Sequence, residues 1–260
     1  MNKRCLNILM VLPSIAGVTL FWAAPFLRLI VSSFFQSQTG AWNGFGNYMD
    51  VIGSQSFRLA AANTLKFMLI SIPVMLVLSL AIAVFLSEKS ILNMWLKESV
   101  ILPLVMPAAA VSVFCGILFD SSGFEELLSI YIWKYTGLYM LVWLSGIANV
   151  PLELKDAAYL DGADKFRYIK DILLPNLKQV GFICFVFMFI NSFKVFREIY
   201  LMTGSYPDEN IYMLQHIFNN WFKEFSVDKM SAGAVLSAVS ILLFLLAVFM
   251  LLNKGRRQDG

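Results

Sequence analysis

Three uninterrupted apolar runs limit what this chain can fold into. Phe67–Leu86 (FMLISIPVMLVLSLAIAVFL) and Val100–Phe119 (VILPLVMPAAAVSVFCGILF) are each 20 residues without a charge, and Met230–Asn253 (MSAGAVLSAVSILLFLLAVFMLLN) is 24. A helix that crosses the hydrocarbon core of a bilayer needs about 20 apolar residues. A buried helix of a soluble protein explains one such run, but not three. Charged residues make up 14% of the 260, and mean hydropathy is +0.72. An ordinary soluble domain carries roughly 25% charged residues. The pattern is that of a multi-pass membrane protein.

Three less regular runs complete the set. Leu6–Phe35 contains Pro13, Pro25 and Arg28; Leu127–Val150 contains Lys134; Val180–Met202 contains Lys194, Arg197 and Glu198. The expectation is an all-α membrane protein, one domain over 1–260, with six transmembrane helices at about 6–35, 61–86, 98–119, 127–150, 179–202 and 230–253. The first run exceeds the roughly 7–15 apolar residues of a secretory signal and reads as a retained span. Its prolines are tolerated because a membrane helix re-satisfies the carbonyls they free.

Lysine and arginine placement sets the orientation. With the N-terminus inside, the inner segments hold Lys3, Arg4, Lys89, Lys97, Lys155, Lys165, Arg167, Lys170, Lys178, Lys254, Arg256 and Arg257. The outer segments hold only Arg58, Lys223 and Lys229, and Asp120–Glu126 is purely acidic. Both termini are therefore expected in the cytoplasm, in the cell membrane. The net charge of +3 is an orientation signal and gives no hint of nucleic acid.

The chemistry-bearing residues exclude several classes. Cys5, Cys115 and Cys184 fall in or beside three different spans with no CxxC or Cys/His spacing, so no metal site is expected. The single histidine, His216, reads as a surface residue of the last outer loop. There is no G-x-x-x-x-G-K-[ST] phosphate loop, no nucleophile elbow and no HExxH. No catalytic residue and no bound cofactor is expected in this chain.

One polar stretch stands out. The loop 151–178, between the fourth and fifth spans, opens PLELKDAAYLDGAD. Pro151 suits a first helical turn, and Glu153 and Asp156 place negative charge at the positive end of the helix dipole. Ala157 and Ala158 favour helix, and Asp161-Gly162 stops it, since glycine readily takes the left-handed conformation at a helix end. A second helical stretch, 164–174, is expected to end at Pro175. Five basic and five acidic residues leave the loop neutral, unlike a headgroup-binding segment. Ala157, Ala158, Gly162 and Ala163 give a small-residue surface that another protein can approach. A solvated interhelical loop that is merely helical would share these features.

A match decides between the two. Asp156-Ala157-Ala158, three residues, Gly162, nine residues, then Ile172-Leu173-Leu174-Pro175 resembles the "EAA" motif, E-A-A-x₃-G-x₉-I-x-L-P. That motif marks the integral membrane permeases of ABC importers that depend on a solute-binding protein. The resemblance runs along nearly the whole chain. NILMVLPSIAGVTLFWAAPFLRLIVSSFF, FGNYMDVI with NTLKFMLISIPVMLVLSLAIAVFL, and FREIYLMTG are similar to segments of the carbohydrate-type permeases. Three places depart from them. Asp156 stands for the leading Glu, the connection Asp120–Tyr131 is short, and Gly204-Ser205-Tyr206-Pro207 replaces a Gly-Gly-Pro step.

The resemblance implies a coupling helix formed by Glu153, Asp156, Ala157, Ala158, Asp161 and Gly162, seated in a cleft of a separate ATPase. It implies two copies of that ATPase, holding ATP and Mg, a second permease in a heterodimer, and an extracytoplasmic solute-binding protein, all around lipid. It also places a translocation path along the later spans, where polar groups are costly and often functional. There Tyr131, Lys134, Tyr135, Asn191, Ser192 and Lys194 offer aromatic faces, amide, hydroxyl and ammonium groups. The implied cargo is a sugar or a related polyol such as glycerol phosphate. The residues alone also allow blander roles. Lys134 would snorkel, Lys194 would pair with Glu198 one turn on, and the aromatics would form an interfacial belt.

Two rivals remain: an ATP-independent channel or secondary transporter, and a structural subunit that has lost transport. The first would show inverted repeats and broken helices facing the substrate. The sequence has no such internal symmetry.

Overall fold

The computed structural model describes residues 3–88, 90–119 and 123–256. The helices are α1 (Lys3–Val18), α2 (Ala24–Ser32), α3 (Gly46–Gly53), α4 (Gln55–Leu86), α5 (Ile91–Val105), α6 (Ala108–Leu118) and α7 (Phe124–Ala148). They continue with α8 (Leu152–Leu160), α9 (Lys165–Arg167), α10 (Leu174–Asn176), α11 (Lys178–Ser192), α12 (Phe196–Thr203), α13 (Leu214–Lys223) and α14 (Val227–Arg256). Among the described residues the only β pairing is an isolated bridge between Phe35 and Trp42. Among the described residues five segments are long and apolar enough to cross a bilayer: Met10–Ser32, Gln55–Leu86, Phe124–Ala148, Lys178–Thr203 and Val227–Met250.

The third expected span, 98–119, is not a single rod. α5 and α6 together are apolar enough to span, but they meet at 100°. The break falls at Met106-Pro107, where Met106 is extended and Pro107 caps α6. Pro107 has no N–H to give the carbonyl one turn back, and Pro103 removes a second donor from the last turn of α5. Among the described residues the count is therefore five candidate spans, or six with the bent pair taken as one.

Proline also shapes two other helices. A π-helical stretch, Thr19–Ala23, precedes Pro25, and another, Tyr168–Leu173, precedes Pro175. In each the next residue donates five positions back, Ala24 to Thr19 O and Leu174 to Ile169 O. Widening the turn keeps the chain helical where a proline cannot donate. Pro175 therefore does not end its helix; helical geometry continues to Asn176, and Leu177 makes the break.

Contacts divide the chain into two compact units, Met1–Arg58 with Ile217–Gly260, and Leu59–His216. In the first, α14 packs on α2 and α3. Buried Asn47 ties the α2–α3 turn: its Nδ2 donates to Ser33 O and Phe35 O, each at 2.9 Å, and its Oδ1 accepts from Asn43 at 2.7 Å. Ser37 N–H donates to Asp228 Oδ2 at 3.2 Å and joins this turn to the start of α14.

In the second unit α7 is the central helix, half of its apolar window buried. Small residues set its crossings, as is usual where lipid offers no hydrophobic drive to pack helices. A Cβ on Gly137 would meet the backbone of Val100 and Ile101 in α5. One on Gly146 would meet Val180 of α11, while Gly181 of α11 lies against the Trp143 ring. Trp143 Nε1–H donates to Ser79 Oγ at 3.1 Å and adds α4 to the bundle. α6 packs on α12 around Val111, Cys115 and Ile130.

Candidate functional site: the polar ledge and the intramembrane cluster

The loop after α7 builds a short ledge. Asn149 and Val150 leave α7, and Pro151 sits at the N-cap of α8, one position before the first turn expected for it. Glu153 lies in that turn. At the far end Gly162 has φ +82°, its N–H donates to Tyr159 O at 3.1 Å, and Ala163 N–H reaches Ala158 O at 2.9 Å. This paired closure is a Schellman motif, and a side chain at Gly162 would be strained by the left-handed backbone alone. The chain then turns at Asp164, whose Oδ1 caps the next helix by accepting from Arg167 N–H at 2.8 Å.

Burial separates the two faces of α8. Ala158 faces inward, 6% exposed, while Glu153, Asp156, Ala157, Asp161 and Gly162 are exposed. The ledge also shows apolar side chains that its polar composition hides: Leu160 is 89% exposed, and Leu152 and Phe166 are exposed as well. Tyr159 and Tyr168 hold the two arms together, ring centroids 5.9 Å apart. Lys165 Nζ meets Glu88 Oε1 at 3.0 Å and ties the ledge to the α4–α5 turn. The Lys165 ammonium, hydrogen-bonded to Glu88, holds that carboxyl below its ordinary range.

The intramembrane cluster lies on α7, α11 and α12. Lys134 Nζ donates to Glu198 Oε1 at 2.6 Å, and both residues are buried. Lys134 thus does not snorkel, and the partner of Glu198 is this lysine from another helix. Lys194 occupies a single 3₁₀ turn, Phe193–Val195, between α11 and α12; its side chain lies outside the described residues. The Tyr131 and Tyr135 rings lie 4.9 Å apart, tilted by 44°, and Asn191 Nδ2 donates to Tyr139 Oη at 3.2 Å. Ser192 is buried and turns back on its own helix, donating to Phe189 O at 2.6 Å. The structure therefore gathers Tyr131, Lys134, Tyr135 and Asn191 around Glu198 and Tyr139, whereas Ser192 spends its hydroxyl locally. Glu198 carries a signal the sequence reading used only for Lys194: a carboxylate in an apolar span needs a cation.

His216 is fully buried rather than at the surface. Its Nδ1 accepts from Met213 N–H at 3.1 Å, and its ring meets Phe196 edge-on at 4.7 Å. Burial pushes its pKa down to about 4.

The ledge is thus a short helix closed by a glycine, with exposed leucine and phenylalanine side chains beside its carboxylates. The model of the family described as "Binding-protein-dependent transport system inner membrane component" matches residues 55–255. The chain belongs to that family. Like its other members it is a multi-pass membrane permease, and the match takes in the ledge and every helix from α4 onward. The trehalose/maltose transport system permease MalF of Thermococcus litoralis is 25% identical over 98% of this chain and 95% of its own. The trehalose transport system permease SugA of Mycobacterium tuberculosis is 27% identical over 78% of this chain and 71% of its own. Among solved structures, a bacterial ABC transporter that imports the acidic polysaccharide alginate matches with a TM-score of 0.81. It covers 96% of this chain and 95% of its own at 20% identity, a likeness of fold.

Proposed function

We propose that this permease is the membrane-spanning subunit of an ATP-driven importer for a sugar or related polyol, and that 151–178 couples it to a separate ATPase. The observation that carries the reading is the ledge: exposed Leu152, Leu160 and Phe166 stand beside carboxylates on a helix closed at Gly162. Apolar side chains in a charged, water-facing loop mark a surface that another protein covers. Glu153, Asp156, Ala157, Asp161 and Gly162 form the rest of that surface, and Ala158 packs behind it.

In this reading two copies of the ATPase hold ATP and Mg. Their closure draws the ledges of this chain and a second permease together, and the spans rock between inward- and outward-facing states. A solute-binding protein delivers the cargo on the outer side, and both termini are cytoplasmic. Tyr131, Lys134, Tyr135, Asn191, Ser192 and Lys194 lie along this chain's half of the path, with Glu198 balancing Lys134. A sugar suits that setting, because tyrosine faces take its C–H surface and amide and hydroxyl groups take its edges. The relatives named for trehalose and maltose support that cargo class.

One observation favours the rival reading of a secondary transporter: the 100° break between α5 and α6 is the kind of discontinuous helix such transporters use. Affinity capture of the tagged chain in mild detergent separates the two. The importer reading expects a P-loop ATPase and a second multi-pass permease with the wild-type chain, and loss of the ATPase alone with Gly162→Asp. A chain captured alone, with no ATPase, overturns it.

A further inference from the structure

One charge in the second unit is left unanswered. Arg197, the second residue of α12, lies six residues short of the end of the apolar segment Lys178–Thr203, and it is exposed. Its neighbour Glu198 is buried and already holds Lys134 at 2.6 Å. Among the described residues Arg197 has no ion pair. Lys194 adds another cation to the sequence of the same segment. With Lys134 cancelled by Glu198, the segment is left with a positive surplus.

Lipid does not suit a guanidinium at this place. The Arg197 Cα lies about 9 Å inside the end of the segment at 1.5 Å per residue. Side chains on a helix lean toward its N-terminus, so this one leads deeper rather than out past Thr203 to the headgroups. Ionised groups within spanning helices turn to the interior of the bundle or to a water-filled cavity. Arg197 is exposed and so is not in the interior of this chain. Its surroundings are polar and aromatic. The Arg197 charge acts on the phenol of Tyr135 in α7, and Lys134 Nζ lies 5.8 Å from the centroid of that same ring. The Lys134–Glu198 pair is thus a neutral backing, in front of which stand a half-buried phenol and an exposed guanidinium.

We propose that Arg197 faces the translocation path and holds an anionic group on the cargo, so that the path prefers sugars carrying a carboxylate, sulfonate or phosphate to neutral ones. The proposal rests on the importer reading for the path itself and adds the charge of what passes along it. A guanidinium meets such a group with two parallel, charge-assisted hydrogen bonds, whereas a sugar hydroxyl offers it only neutral acceptors. Tyr135 beside it supplies a ring face for the body of the sugar. Glu198 does not cancel the attraction, because its charge is committed to Lys134.

The test uses the full chain, captured with its partners and placed in liposomes, and carries Tyr135→Cys as a reporter. Two thiol reagents of similar size and opposite charge are compared, sulfonatoethyl and trimethylammonioethyl methanethiosulfonate, with and without ATP. Label is read by mass spectrometry of the peptide holding position 135, which separates it from Cys115 and Cys184. Relative to a free thiol in solution, the sulfonate reagent should be favoured about tenfold. Arg197→Gln should abolish that preference and Arg197→Lys should keep most of it. Millimolar glucuronate should slow the sulfonate reaction more than glucose does, and Arg197→Gln should remove the difference. Asn191→Cys serves as the reporter if Tyr135→Cys fails to assemble. Absence of label both with and without ATP, or a preference that Arg197→Gln leaves unchanged, overturns the proposal and gives Arg197 to lipid or to the second permease. Equal effects of glucuronate and glucose on the wild-type arginine overturn it as well. Labelling needs no transport: a chain captured without an ATPase fails the importer reading, while the reagent preference still reports on Arg197.

Discussion

Removing one member of the Lys134–Glu198 pair tests whether the middle of the second unit is held by charge. Lys134 Nζ and Glu198 Oε1 are 2.6 Å apart, with side-chain exposures of 8% and 4%. Among the described residues Glu198 Oε2 is buried without a hydrogen-bond partner, and Lys134 is the one hydrogen-bond partner of the carboxylate. Glu198→Leu leaves the ammonium buried and uncompensated, and breaking a buried pair in this way costs about 3–5 kcal/mol. Lys134→Met strands the carboxylate at a similar cost. The double variant removes both charges and keeps side-chain bulk, and such replacements are neutral or stabilising by about 1–4 kcal/mol. The expected coupling is therefore large, roughly 6 kcal/mol or more between the double variant and the sum of the singles. Equilibrium unfolding in mixed micelles titrated with dodecyl sulfate measures all four corners. Single variants within about 1 kcal/mol of wild type, or a double variant as unstable as the sum of the singles, would refute the reasoning.

Three other perturbations have defined outcomes. Gly137→Ala places a methyl against the Val100–Ile101 backbone and should cost about 1–3 kcal/mol through overpacking, read as a lower unfolding midpoint in detergent. Asp164→Ala removes the cap on Arg167 N–H and should cost about 1 kcal/mol, read as faster amide exchange over 165–168 with little change elsewhere. His216 is neutral in the folded chain because its pKa falls from 6.5 to about 4. The unfolded chain binds more protons in that window, so stability is full above pH 6.5 and falls by about 3 kcal/mol as pH drops through 4. A pH series of unfolding midpoints on wild type and His216→Phe should show that slope in the first and its loss in the second.

The spans were legible because lipid imposes one rule on every spanning helix: its side chains must be apolar for about 20 residues. The ledge was legible because helix ends need specific residues, and Asp161-Gly162 supplied the left-handed stop that the structure shows at φ +82°. The bend at Met106-Pro107 was hidden inside an unbroken apolar run, although two prolines four apart, Pro103 and Pro107, were its visible cause. The pairing of Lys134 with Glu198 joins residues 64 apart in sequence, and no local period encodes it. His216 looked like a loop residue because its burial comes from Phe196 and Tyr212 packing over it. The exposed Leu160 and Phe166 were passed over for a different reason: apolar residues in a short loop resemble core until a structure shows them facing outward.

The central claim is that transport through this chain is driven by ATP and transmitted by the ledge. Its most direct test is uptake of radiolabelled trehalose and maltose into vesicles holding the captured complex and its binding protein, with and without enclosed ATP. Leu160→Asp is assayed beside the wild type. The account predicts uptake of at least one sugar only with ATP, lost in Leu160→Asp while the spans remain folded. Uptake by the chain alone, without ATP and unchanged by Leu160→Asp, would contradict it.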